Sequence, residues 1–397
     1  MLILPDISVR INMQLTRFVN AFKRLETPFY FYDLDILDQT LRLYSRFLRK
    51  YGYQAHYAMK ANANPRILEI IHRAGLGADC VSGNEVQLAL DMGFDPDTIV
   101  YAGVGKSDRE IRTALQGGVF CFNCESVPEI QIINDLASQM GRTARISLRL
   151  NPNIDAHTNK HITTGRSRDK FGISEWMLDE VLQVIAESNS VKLIGLHFHI
   201  GSQIPDMKVF EKLCDKVNDF QRWFEQRDIR LEHINLGGGI AVDYQDPLGN
   251  LFSPFETYFQ IINDKLEIRK GQKIHFEPGR ALVAQCGFLI SRVLYVKVGK
   301  GKKFAILDAG MNDLIRPALY GASHAICNIT SESEKQEVYD VVGPVCESAD
   351  RFGLAVKMPE TGRGDLVAIC SAGAYGQVMS MRYNQRELAQ AYYSPDL

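Results

Sequence analysis

The stretch Glu232–Ile240 reads EHINLGGGI, a short apolar strand that stops at three successive glycines. After one further helical segment the pattern recurs as KIHFEPGRA (Lys273–Ala281), a strand that stops at Glu277, Pro278, Gly279 and Arg280. Short runs of this kind, rich in apolar or β-branched residues and separated by segments of helical period, suit parallel strands joined by helices. Six more precede them: AHYAM from Ala55, GADCV from Gly77, TIVYA from Thr98, GVFCF from Gly118, ARISLRL from Ala144 and LIGLHFH from Leu193. Segments of helical period lie between. In NPRILEIIHRAGLG, Ile67, Ile71 and Ala74 share a face and Gly75 supplies the stop; SEWMLDEVLQVIAES opens on a capping serine, Ser174. Eight strands alternating with helices predict an α/β fold, a closed (β/α)8 barrel of TIM type ahead of a doubly wound open sheet.

The texture changes beyond this region. GFLISRVLYVKVGKGKKFAILDAG (from Gly287), EVYDVVGPVCES and GDLVAICSAGAY alternate, turn at Gly-Lys pairs and lack crossover helices, which predicts a C-terminal antiparallel β-sandwich or barrel domain. The expected division is residues 26–280 for the barrel and 1–25 plus 281–397 for the β domain.

A chain of 397 residues has enough length for two cores. Its 45 Lys and Arg against 47 Asp and Glu give a net charge of -2, which carries no sign of nucleic-acid or membrane-surface binding. No apolar run approaches the roughly eighteen residues of a membrane span. The start, MLILPDISVRINM, has neither the basic nor the sustained apolar region of a secretory leader, so a cytoplasmic location is expected. Eight irregularly spaced cysteines predict reduced thiols. The one Cys-x-x-Cys, Cys121 with Cys124, lacks a second pair for zinc and reads as strand core. GVGKS, from Gly103, resembles a nucleotide-binding loop, but the first glycine of that motif falls on Val100.

In a barrel of this type reactive groups sit where strands end, and phosphate is commonly held by the loops after strands seven and eight. Lys60, in HYAMKANAN, follows the first strand; His199 ends the sixth; Gly237, Gly238 and Gly239 follow the seventh; Glu277, Pro278, Gly279 and Arg280 follow the eighth. Successive glycines let backbone N–H groups approach an anion. An acid in that cup, Glu277, needs something cationic to face, and a protonated pyridine nitrogen answers the need. Phosphate, pyridinium and a lysine amine are the three handles of pyridoxal 5'-phosphate, whose aldehyde condenses with lysine. On this reading Lys60 links the cofactor, His199 lies against its ring and Glu277 keeps the ring nitrogen protonated. His197 stays open between a strand histidine satisfied by the backbone and a member of the site.

YAMKAN, FHIGSQ, NLGGG, EPGR, GPVCESAD and GAYG together resemble the barrel-type pyridoxal-phosphate decarboxylases, over nearly the whole chain. RLNPNIDAHTNKHITTGRSRDKFGI, from Arg149, is similar to the long fifth-strand segment of that family. The resemblance implies a barrel followed by a β domain and a homodimer whose two active sites lie at the interface. It implies a small amino-acid substrate, with no nucleic-acid or membrane partner and no metal. It further implies that Cys346 donates a proton, that Tyr375 meets cofactor and substrate, that Arg280, Arg316 and Tyr320 hold a distal carboxylate, and that Glu347 with Ser348 holds a distal ammonium. Related enzymes use the position of Arg280 for the cofactor phosphate. Within the family these residues favour meso-2,6-diaminopimelate, decarboxylated to L-lysine as the last step of its synthesis, over ornithine, arginine or carboxynorspermidine. A non-catalytic pyridoxal-phosphate carrier on the same barrel would end after one domain, and an alanine racemase would not be expected to show EPGR or CES.

Overall fold

A computed structural model of the chain describes residues 7–155 and 170–397, so the middle of the fifth-strand segment lies outside the described residues. The chain divides into two compact units. The first, Leu41–Ala241 with Pro254–Gly279, is the expected barrel. Its strands are β1 (Gln54–Ala58), β2 (Gly77–Cys80), β3 (Ile99–Tyr101), β4 (Cys121–Cys124), β5 (Ala144–Arg149), β6 (Val191–His197), β7 (His233–Asn235) and β8 (Lys273–Phe276). Each pairs in parallel with the next, and β8 closes on β1 through Gln54 opposite His275 and Ala55 opposite Phe276. Every residue of β2 and β4 is buried, as apolar strands lined on both faces require. Cys121 and Cys124 belong to that packing, and burial pushes both thiols up, which leaves them unreactive.

The helix Pro65–Arg73 starts on Asn64, whose side chain accepts from the Arg66 N–H at 3.0 Å, with Pro65 in the first turn. It buries Ile67, Leu68 and Ile71; Ala74 forms the C-cap and Gly75 follows at φ +83°. Ser174 does not cap its helix. A single 3-10 turn, Glu175–Met177, intervenes, so the helix proper is Leu178–Glu187 and its first N–H groups lie beyond the reach of that hydroxyl.

The second unit comprises Arg280–Leu397, Val242–Ser253 and, among the described N-terminal residues, 7–40. Its spine is the long strand Gly287–Gly299, which runs antiparallel to Phe29–Tyr32, Leu366–Ile369 and Lys302–Leu307. Two contacts in this mostly antiparallel sheet are parallel: Lys302–Leu307 with Gln336–Val342, and Phe29–Tyr32 with Gln390–Tyr393. The helix Ile7–Phe22 lays Ile11, Leu15, Phe18 and Phe22, one helical face, onto Phe29, Phe31, Phe288 and Ile290. Each such side chain, fully buried, contributes roughly 1.5–3 kcal/mol. Among the described residues no helix is long and apolar enough to cross a membrane.

Candidate active site

Lys60 sits in the 3-10 turn Met59–Ala61 directly after β1. Met59 and Ala61 are buried and fix the backbone, while the lysine side chain is 37% exposed. Its Nζ lies 3.5 Å from Oδ2 of Asp79, in β2. Asp79 is wholly buried and its Oδ1 has no hydrogen-bond partner among the described residues. Burial pushes this carboxyl up to about 8; the charge of Glu277 adds to the effect and Lys60 opposes it.

His199 lies two residues past β6. Its Nδ1 accepts from the Gly238 N–H at 3.3 Å, which places the ring proton on Nε2. Desolvation, followed by the nearby cations Lys60 and Arg149, holds its pKa well below the usual imidazole range, so the ring is neutral. Gly237 and Gly239 adopt φ +69° and +115°, which side chains tolerate poorly. A Cβ on Gly238 would stand 2.2 Å from the Glu277 carbonyl oxygen, so the loops after β7 and β8 meet backbone to backbone. The Glu277 N–H seals that contact by donating to Gly237 O at 2.7 Å. One residue beyond Pro278, a Cβ on Gly279 would press on Ala58 and Ala61, the neighbours of Lys60, at 3.1 Å.

Glu277 is buried and accepts from three side chains on three strands: His197 Nε2 at 2.8 Å, Asn235 Nδ2 at 2.7 Å and Asn123 Nδ2 at 3.2 Å. Burial alone would raise its pKa; His197, through its charge and its hydrogen bond, and then Lys60 outweigh burial and pull it well below the usual carboxylate range. An ionised carboxylate has about four acceptor sites. Three are taken, and one on Oε2 remains. His197 therefore holds a side chain of the site rather than the backbone. These groups fit pyridoxal phosphate: a lysine amine on a fixed turn, a neutral imidazole, a glycine cradle closed to any Cβ, and an anion with one acceptor position left for a ring N–H.

In the second unit Arg280 opens the short helix Arg280–Val283 and is buried. Its Nη1 donates to Tyr244 Oη at 2.6 Å, and its guanidinium carbon lies 4.8 Å from the centre of the Tyr375 ring. Tyr375 holds φ +55°, a left-handed conformation unusual for a bulky residue and a mark of a constrained position. Arg316 opens the helix Arg316–Tyr320 and is buried, 4.6 Å from the centre of the Tyr244 ring. It donates from Nη1 to His324 Nε2 at 2.8 Å, and His324 Nδ1 donates to Cys370 O at 2.7 Å. Burial, then the adjacent Arg316, holds His324 down to about 3, so it serves as a neutral acceptor. Two guanidinium groups thus share one phenol ring, and Arg316 forms no ion pair among the described residues. Such an arrangement suits a carboxylate supplied from outside.

Cys346, Glu347 and Ser348 are exposed on a loop anchored by Asp350, whose carboxylate accepts the Val345 and Met311 N–H groups, both at 2.6 Å. Tyr383 Oη donates to Glu347 Oε1 at 2.8 Å. Of the eight cysteines only Cys346 is exposed. The barrel thus gathers Lys60, His199, Gly238, Gly239, Glu277, Pro278 and Gly279. The second unit gathers Arg280, Arg316 and Tyr375 round Tyr244, with half-buried Tyr320 ending the helix that Arg316 begins.

Asp79, Asn123, Asn235, Tyr244 and His324 are not among the site residues expected from the sequence. The acid inside GADCV and the asparagine inside EHINL carried a signal, since a polar side chain in a doubly buried strand needs a partner. Tyr244 and His324 lie in loops and carried none.

Residues 37–284 match the family described as the pyridoxal-dependent decarboxylase, pyridoxal binding domain. The chain is 53% identical over 380 residues to a diaminopimelate decarboxylase of Bacteroides thetaiotaomicron, covering 96% of this chain and 98% of that one. It is 37% identical over 365 residues to the diaminopimelate decarboxylase of Aquifex aeolicus, covering 91% and 85%. Among solved structures it is similar to the diaminopimelate decarboxylase of Helicobacter pylori complexed with L-lysine, at a TM-score of 0.88 and 40% identity over 94% of each chain.

Proposed function

The chain belongs to the pyridoxal-dependent decarboxylases, and from that premise we propose that it decarboxylates meso-2,6-diaminopimelate to L-lysine. The observation that carries this reading is a lysine on a fixed turn in the same barrel as a buried, ionised Glu277 with one acceptor site left. Pyridoxal phosphate, when bound, supplies the electron sink for the bond pair released as carbon dioxide departs. The residues supply the rest. Lys60 would tether the cofactor through Nζ, the glycines at 237–239 and Gly279 would cradle its phosphate, neutral His199 would lie against its ring, and Glu277 would accept the ring N–H.

At the far end of the substrate, Arg280, Arg316 and Tyr320 would bind the distal carboxylate and Glu347 with Ser348 the distal ammonium, while Tyr375 would meet both cofactor and substrate. The scissile carboxylate leaves as carbon dioxide, and one proton must be added at Cα to balance the product amine. Cys346 delivers it. The exposure of Cys346 and Glu347 in the single chain supports a homodimer in which this loop completes the site of a second copy. Borohydride reduction after incubation with pyridoxal phosphate tests the assignment: the added mass should lie on the Lys60 peptide and vanish in Lys60→Ala. A wild-type protein that takes up no cofactor would remove the reading.

A further inference from the structure

Glu277 does not act alone in the barrel. Three donors from three strands converge on it, and they differ in kind. Asn123 and Asn235 both reach Oε1, at 3.2 and 2.7 Å, and fill its two acceptor positions. Oε2 receives only His197 Nε2, at 2.8 Å, so the free position of the carboxylate lies on the oxygen that His197 holds. His197 is itself 1% exposed, and its Nδ1 has no hydrogen-bond partner among the described residues. A buried polar atom left without a partner is destabilising, so the ring is retained there for what Nε2 does.

A base that hydrogen-bonds to a carboxylate can leave the shared proton on either partner. Each donor already bound to the carboxylate lowers its affinity for a further proton. We propose that His197 is a positioning residue of the reaction: its Nε2–H aims the remaining acceptor position of Glu277 at the ring nitrogen and keeps that shared proton on the ring. Without this donor the proton would pass to the carboxylate, the ring nitrogen would become neutral, and the ring would lose its pull on the bond pair. The charged and titratable groups facing this pair are Lys60 beyond β1, His56 in β1, Asp79 in β2, Cys121 in β4, His199 beyond β6 and His275 in β8. None of them is bonded to Oε2. The inference rests on the cofactor reading above.

The test uses the holoenzyme loaded with pyridoxal phosphate carrying 15N in the ring, compared for wild type, His197→Gln, whose amide can donate from near the Nε2 position, and His197→Leu. The 15N shift should report a protonated ring in wild type and His197→Gln and move toward the unprotonated value in His197→Leu. A lost hydrogen bond to a charged group is worth about 1.5–3 kcal/mol, so kcat should fall roughly 10- to 150-fold in His197→Leu, with KM changed less than about threefold and with recovery in His197→Gln. A ring that stays protonated in His197→Leu overturns the proposal, as does an equal fall in kcat for both variants. Failure of the wild type to bind the labelled cofactor would instead overturn the cofactor reading itself, and this inference with it.

Discussion

Replacing Arg316 by Met removes one of two buried cations while keeping a chain of similar length against Tyr244. Arg316 is 6% exposed and gives Nη1 to His324 at 2.8 Å, so its other donors are available to a carboxylate. Truncating one side of a buried ion pair costs about 3–5 kcal/mol. Arg280 packs against the same Tyr244 ring and remains to share the charge, which argues for the lower end of that range. At about 1.4 kcal/mol per tenfold, kcat/KM for diaminopimelate should fall on the order of 100-fold. The contact is remote from the bond that breaks, so the loss should appear mainly in KM. His324 also loses its donor, and that part falls on every substrate alike. The assay is carbon dioxide release from diaminopimelate and from an analogue with its distal carboxylate amidated. Arg316→Met should penalise the first far more than the second. Equal losses on both substrates, or a change below threefold on diaminopimelate, would refute the assignment.

Three further outcomes follow from the same geometry. Gly238→Ala places a Cβ 2.2 Å from the Glu277 carbonyl oxygen, so cofactor uptake, followed by its visible absorption, should be lost while far-ultraviolet circular dichroism is retained. Cys346→Ala should lower kcat by about 100-fold or more with little change in KM, as loss of a general acid does; a wild-type rate would remove Cys346 from the mechanism. His324 is neutral in the fold with its pKa held down to about 3, against about 6.5 unfolded. Its contribution to stability is therefore complete above pH 6.5 and is lost at about 1.4 kcal/mol per unit as pH falls toward 3. His324→Gln should flatten that acid slope in urea unfolding measured from pH 7 to 5, and an unchanged slope would contradict it.

The barrel was legible because each of its strands is a short, largely apolar run bounded by turns and helical segments; each of the eight runs named from the sequence overlaps one barrel strand, GVFCF least, since its strand begins only at Cys121 after the helix cap at Gly118. The site residues at strand ends were legible for the same reason: counting strands fixes which face Lys60, His199 and Glu277 share. What could not be read was anything set by the residue across the barrel. Asn123, His197 and Asn235 are far apart in sequence and meet only because β4, β6 and β7 aim them at one carboxylate. Ser174 misled because a hydroxyl before a helical period says nothing about an intervening 3-10 turn. The pairing of Arg316 with His324, and of both arginines with Tyr244, depends on loops whose course no periodicity encodes.

Product analysis with the purified, cofactor-loaded protein, offered meso-diaminopimelate, ornithine and arginine separately, tests the proposed reaction most directly. One carbon dioxide and one L-lysine should form for each diaminopimelate consumed, at a kcat/KM well above that for the other two. Carbon dioxide released faster from ornithine or arginine, or diaminopimelate consumed without lysine, would contradict it.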